Sequence, residues 1–138
     1  MVIDATNLIL GRLASFAAKK ALEGENIAIV NSEKAIISGK KEIVIKKYRE
    51  RVKRGDPLKG PYFPTMPDRM LRRAIRGMLP FKNDRGRKAF KRVMCYLGVP
   101  DEYKNQKLET FNNISISRLK IPHFITLEDL SKQLRNKK

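Results

Sequence analysis

One cysteine, Cys95, leaves this 138-residue chain without an internal disulfide, and it holds no CxxC pair of the kind that grips zinc. That poverty suits a reducing compartment. The chain has a single histidine, His123, and no tryptophan. No run approaches the roughly 20 apolar residues that span a bilayer. The N-terminal stretch MVIDATNLILGRLAS sets Asp4 ahead of its short apolar run and has no basic flank, so it does not read as a signal peptide. The chain lacks one strongly amphipathic basic helix with Trp or Phe on its apolar face, which argues against a membrane-surface partner. Acid is scarce as well: 14 Asp and Glu stand against 31 Lys and Arg, a formal +17. Such an excess repels itself in a compact chain and is expected where a polyanion neutralises it. Nucleic acid is the first candidate.

Catalysis finds little to work with. A Cys95–His123 pair could be written on paper, but His123 sits beside Pro122 in an unassigned segment and Cys95 reads as a small core residue in a strand. Asp4 could serve a mononucleotide site, yet the following Gly11 belongs to neither GxGxxG nor GxxxxGK[ST]. Bonding to nearby backbone or to an arginine suits Asp4 better. We therefore expect no enzyme, no metal, no cofactor and no small-molecule substrate.

What is present has the form of one α/β domain over residues 1–138, with 41% apolar residues and length enough for a real core. Val2–Ala5 reads as a strand, and GRLASFAAKKALE from Gly11 as an amphipathic helix with Leu13, Phe16, Ala17 and Ala21 on one face, closed by Gly24. Asn26–Asn31 reads as a buried strand. Strand, helix and strand within about thirty residues form a βαβ unit, which calls for parallel pairing. After a short extended stretch at Ala35–Ile37, Ser38 is placed to cap a helix from about Lys40 to Lys53. On that helix Val44, Ile45, Tyr48 and Val52 share a stripe, with Lys46, Lys47, Arg49, Arg51 and Lys53 outside it. DPLKGPYFPTMP, from Asp56 to Pro67, holds four of the seven prolines and reads as a long irregular loop. Lys59 and Tyr62 in it are candidate RNA contacts. Tyr62 or Phe63 could stack on an unpaired base, and core packing fits either ring equally well. Further on, Val93–Leu97 and Asn113–Ser117 read as strands. Thr126 with Asp129 forms a capping signature for a last helix bearing Leu127, Leu130 and Leu134.

The helix that opens near Pro67 is the most informative. Arg69, Arg72, Arg73 and Arg76 recur at i, i+3, i+4 and i+7, a stripe opposite Met70, Leu71, Ala74, Ile75, Met78 and Leu79. Arginine is the cation suited to this, because its planar fork bonds phosphate bidentately and stacks on bases. All four are expected to face RNA, and Arg72, Arg73 and Arg76 to tolerate glutamate without loss of fold. KNDRGRKAFKR follows, a short helix from about Arg85, adding Lys82, Arg85, Arg87, Lys88, Lys91 and Arg92; there Gly86 would let backbone approach a phosphate. From Lys40 to Arg92 nineteen basic residues stand against five acidic ones, +14 of the chain's +17. Charge so concentrated is a footprint.

Three segments in order, DATNLILGRLAS (Asp4–Ser15), VNSEKAIISGKK (Val30–Lys41) and PDRMLRRAIRGMLPFKNDRGRKAFKRVMCYLG (Pro67–Gly98), resemble the universal ribosomal protein L13 family of the large subunit. The likeness covers most of the first hundred residues. Its length, the MCYLGVPDEY wording and the want of a long C-terminal extension match archaeal members. The resemblance implies a three-layer α/β/α domain with a small, largely parallel or mixed central sheet of about four strands and basic rRNA-binding loops. It also implies a cytoplasmic, ribosome-bound protein that contacts large-subunit rRNA and neighbouring ribosomal proteins and supports assembly. Arg12, Arg76, Lys82, Arg85 and Arg87 fall in the matching motifs and inherit the rRNA-binding role; Arg69, Arg72 and Arg73 rest on the helix-face argument alone. The alternative is a DNA-binding or mRNA-binding regulatory protein. No helix-turn-helix spacing or dimerisation heptad is visible to support it.

Overall fold

The computed structural model describes residues 1–54, 58, 60, 63–111, 115 and 123–135. Lys59 and Tyr62 lie outside the described residues, as does most of the strand expected at Asn113–Ser117. Of that stretch Ser115 is described, bridged antiparallel to Leu8.

The βαβ unit stands as read. Strand β1 (Val2–Asp4) leads through helix α1 (Leu10–Leu22) to strand β2 (Ile27–Val30), and the two strands pair parallel with Val2 opposite Ala28. All four residues of β2 are buried, as expected of a central strand covered on both faces. Helix α1 ends in a Schellman turn. Gly24 takes φ +99°, its N–H donates to Ala21 O, and the Glu25 N–H donates to Lys20 O. Helix α2 (Lys41–Lys53) follows strand β3 (Ile36–Ser38). Helices α3 (Pro67–Gly77) and α4 (Asp84–Lys91) then lead to strand β4 (Val93–Cys95), which pairs parallel with β2. Glu109 occupies the fourth sheet position as a single parallel bridge to Ile3. Its N–H donates to Val2 O and its carbonyl accepts from the Asp4 N–H, both at 2.9 Å.

The sheet's two faces are unequal. Ile3, Ile27, Ile29, Val93 and Cys95 join the main core with residues of α1, α3 and α4. Val2, Ala28 and Val30 on the other face lie under Tyr96, Val99, Tyr103 and Leu108, so among the described residues this face is covered by the segment that carries the 3₁₀ turn at Asp101–Tyr103. Away from the parallel sheet, β3 pairs antiparallel with β5 (Phe124–Thr126), which runs directly into α5 (Leu127–Arg135). Thr126 Oγ1 accepts the Asp129 N–H at 3.2 Å, the cap expected there.

Ser38 does not cap α2. It ends β3, Gly39 turns the chain at φ +124°, and Lys40 stands at the N-cap with no side-chain bond. Asp4 behaves as expected of a backbone-bonding acid. Its Oδ1 accepts the Thr6 N–H (3.0 Å), the Thr6 hydroxyl (2.6 Å) and Asn31 Nδ2 (3.0 Å). Burial pushes its pKa up, but these bonds and the Lys34 charge outweigh it and hold it below the ordinary 3.8. A carboxylate so depressed stabilises the fold above its unfolded-state pKa, and that contribution is lost as pH falls through the folded-state value. Asp4→Ala should therefore cost about 2 kcal/mol at neutral pH. Urea melts at pH 7 and pH 3 should show the gap to the parent narrowing in acid; an equal gap at both would assign the effect to something other than the charge.

Candidate nucleic-acid interface

Helix α3 is built to show two faces. Pro67 at its first turn has no N–H to leave orphaned, and Asp68 favours the positive end of the dipole. Met70, Leu71 and Ile75 are buried, while Arg69 and Arg73 are exposed. Among the described residues Arg69 and Arg73 make no ion pair or side-chain hydrogen bond.

Arg72 and Arg76 are half-buried. Arg72 Nε donates to Val93 O at 3.1 Å and its Nη2 to Phe90 O at 3.3 Å, while the guanidinium lies 3.9 Å from the Phe90 ring centre. It pins the junction of α4 and β4. The expectation that Arg72 is a spare cation, replaceable by glutamate without harm to the fold, is thus corrected: i, i+3 spacing finds the helix face but not the carbonyls beside it. Arg76 lies 4.4 Å over the Phe81 ring.

KNDRGRKAFKR divides in the same way. Lys82, Arg85, Arg87, Lys88 and Lys91 are exposed. Arg87 is held in place by Asp84 (2.6 Å) and Lys82 O (3.2 Å). Arg85 lies beside α1, in a hollow with Lys19 and Leu22. Arg92 turns inward, its Nη1 donating to Ala21 O at 2.9 Å and so helping to cap α1. Gly86 is buried, and a Cβ there would lie 1.9 Å from Pro80 O. Its bareness serves that backbone contact, not the phosphate approach expected of it. Arg12 is exposed on the first turn of α1, apart from α3's groove.

That groove, about 860 Å³, is lined by Arg51 and Arg54 from the end of α2, by Arg69, Arg72, Arg73 and Arg76, and by Phe63, Phe81 and Phe90. Arg51 and Arg54 were not expected in it. Arg51 lies 5.0 Å over Tyr48 and 5.8 Å over Phe63, and those two rings meet edge to face at 5.9 Å. Burial raises the Tyr48 phenol's pKa although Arg51's charge opposes the shift. The Tyr48–Arg51 contact was legible as an i, i+3 pair on a helix. Arg54 is the extended residue that ends α2, and it lines the groove beside Arg51.

A sequence model of ribosomal protein L13 matches residues 1–102, which include every cation of the groove. The large ribosomal subunit protein uL13 of Methanopyrus kandleri is 49% identical over 135 residues, covering 96% of this chain and 85% of its own. Its namesake in Methanosarcina barkeri is 49% identical over 137 residues, 99% of this chain and 98% of its own. That of Thermoplasma acidophilum is 44% identical over 133 residues, 96% of both. The chain belongs to the ribosomal protein L13 family. Family membership agrees with the resemblance read from its motifs, and with the archaeal wording of MCYLGVPDEY.

L13 proteins are ribosomal constituents and not enzymes, and Cys95 in this member is placed accordingly. It is buried in β4, and its thiol is pushed up to about 12 by burial, with Arg72 acting against the shift and Asp68 adding to it. Iodoacetamide at pH 8 should therefore leave the native thiol unmodified and label it rapidly in denaturant. Rapid labelling of the folded protein, followed by mass spectrometry, would contradict this placement.

Proposed function

We propose that this L13-family chain is a structural protein of the large ribosomal subunit that binds the subunit's rRNA through the arginine groove and the exposed cations of α4, and so supports assembly. The observation that carries the reading is the convergence of six arginines, from α3 and the C-terminal end of α2, on one groove with no acid lining it among the described residues. The names of the archaeal relatives support it.

The mechanism is electrostatic clamping. The α/β core, acting as one domain over residues 1–138, holds α2, α3 and α4 at fixed spacing, so phosphates from several RNA segments are neutralised together. Neutralised strands can pack closely, and the released counterions contribute much of the binding free energy. A-form RNA hides its base edges in a deep groove, so paired regions are read by shape and backbone. Arg69, Arg73, Arg54, Lys82, Arg85, Arg87, Lys88, Lys91 and Arg12 supply the cations, with Arg72 and Arg92 supporting the scaffold. The protein then resides on cytoplasmic ribosomes beside other large-subunit proteins.

Sucrose-gradient fractionation of native lysate at low and moderate salt, with the protein followed by mass spectrometry, tests this directly. Stoichiometric recovery in the large-subunit peak at both salts is the expected result. Recovery only at the top of the gradient would overturn it in favour of a regulatory nucleic-acid binder.

A further inference from the structure

We propose that the groove between α2 and α3 receives a single unpaired purine of the bound RNA, guanine best, with its base stacked on a phenylalanine-backed guanidinium and its flanking phosphates on the unstacked arginines. The inference rests on the RNA-binding reading above and deepens it. Three arginines are already committed to rings: Arg72 over Phe90, Arg76 over Phe81 and Arg51 over Phe63. Three others, Arg54, Arg69 and Arg73, are exposed and have no ring or ion-pair partner among the described residues. The two sets have different chemistry to offer. A guanidinium backed by a ring has lost much of its freedom and turns a flat, weakly hydrated face outward, which suits a base. An unstacked guanidinium on a free stem suits a phosphate.

The floor of the groove is set in advance. Arg72 is fixed by its two carbonyl bonds, and Phe81 meets Phe90 edge to face at 5.6 Å. Little ordering is left for the moment of binding, which lowers its entropic cost. Duplex RNA could not use such a floor, because its bases are stacked inside the helix and its outer surface is phosphate and sugar. The volume, about 860 Å³, falls in the roughly 300–1,000 Å³ range of clefts that enclose small ligands. The polar side chains that line it among the described residues are all arginines, so the preferred base is the one whose two acceptors lie side by side to meet a guanidinium fork; guanine presents N7 and O6 in that way.

The test uses the full chain and three RNA hairpins with one common stem: fully paired, with one bulged guanosine, and with one bulged uridine. Affinities are measured by fluorescence anisotropy at one salt concentration. The bulged guanosine should bind about tenfold more tightly than the paired stem, with uridine between them. Arg76→Lys keeps the charge and loses the planar stack, so on that variant the bulged guanosine should fall to the affinity of the paired stem measured on the same protein. Phe81→Leu should do the same, its fold checked by melting temperature. Equal affinities for all three hairpins, still weakened together by the double variant Arg69→Glu, Arg73→Glu, would overturn the nucleotide pocket and leave the RNA-binding face standing. Affinities indifferent to that double variant would overturn both.

Discussion

Replacing Arg69 and Arg73 together by glutamate should lower affinity for a large-subunit rRNA transcript by about a hundredfold at ~0.1 M salt while leaving the melting temperature within about 2 °C of the parent. The two guanidiniums stand exposed on α3 and make no side-chain hydrogen bond or ion pair among the described residues, so their loss has no described route into the core. Each phosphate contact removed forfeits the release of nearly one counterion, about tenfold in affinity at this salt, and reversed charge adds repulsion. The log–log slope of affinity against salt should accordingly become shallower by about 2. Arg72→Met should separate scaffold from contact in the opposite sense. It strips two hydrogen bonds from the α4–β4 junction and should be destabilising, with a smaller effect on the salt slope. Were the glutamate pair to unfold the protein, or leave the slope unchanged, α3 would not present its outer arginines to RNA.

The contrast between those arginines marks how far the sequence could be read. Elements whose evidence is local were legible. The spacing of Leu13, Ala17 and Ala21 together with Gly24 gave α1, and the Arg69–Arg76 stripe gave both the existence of α3 and its outward face. Family wording and charge concentration pointed to rRNA, and the family is now shown by near full-length relatives. What stayed illegible depends on contacts far apart in the chain. Arg92 finds its carbonyl acceptor at Ala21, 71 residues away, and Ser131 fixes the far end of the proline-rich loop through its bond to Thr65 O at 2.6 Å. Nothing in the pattern of the segment KNDRGRKAFKR separates an inward Arg92 from an outward Lys91. The groove was half seen for the same reason. Its α3 side is a periodic stripe, whereas Arg51, Arg54 and Phe63 join it only because α2 and the loop's end fold against α3. The sheet shows the limit from another side. A strand of one bridge at Glu109, or a pairing of Ile36 with Thr126 across ninety residues, leaves no run of alternating residues to find.

Gly86 carries the largest expected effect on the fold itself. A methyl at that position would stand 1.9 Å from Pro80 O and 2.3 Å from Pro80 C, both backbone atoms of the turn that joins α3 to α4. A flexible side chain could swing away from such a clash, but here the first turn of α4 and the Pro80 turn must separate by more than an ångström. Gly86→Ala should therefore cost about 3 kcal/mol or more, the upper end of overpacking, and lower the melting temperature by about 10 °C. Helix propensity works the other way, since alanine is the better helix former by up to about 1 kcal/mol, so the sign of the result separates the two effects. Gly11→Ala provides the control: it too lies in a helix, and its Cβ would meet nothing within 4 Å. That change should be neutral or stabilising by about 0.5 kcal/mol. Because α4 carries Phe90 and the exposed lysines Lys88 and Lys91, displacing it should also move the groove floor. Gly86→Ala should then lose RNA affinity even at temperatures where it remains folded. Urea melts and binding measured on the same preparations decide the matter. A variant as stable as the parent would mean that Pro80 and α4 do not pack as closely as this backbone requires.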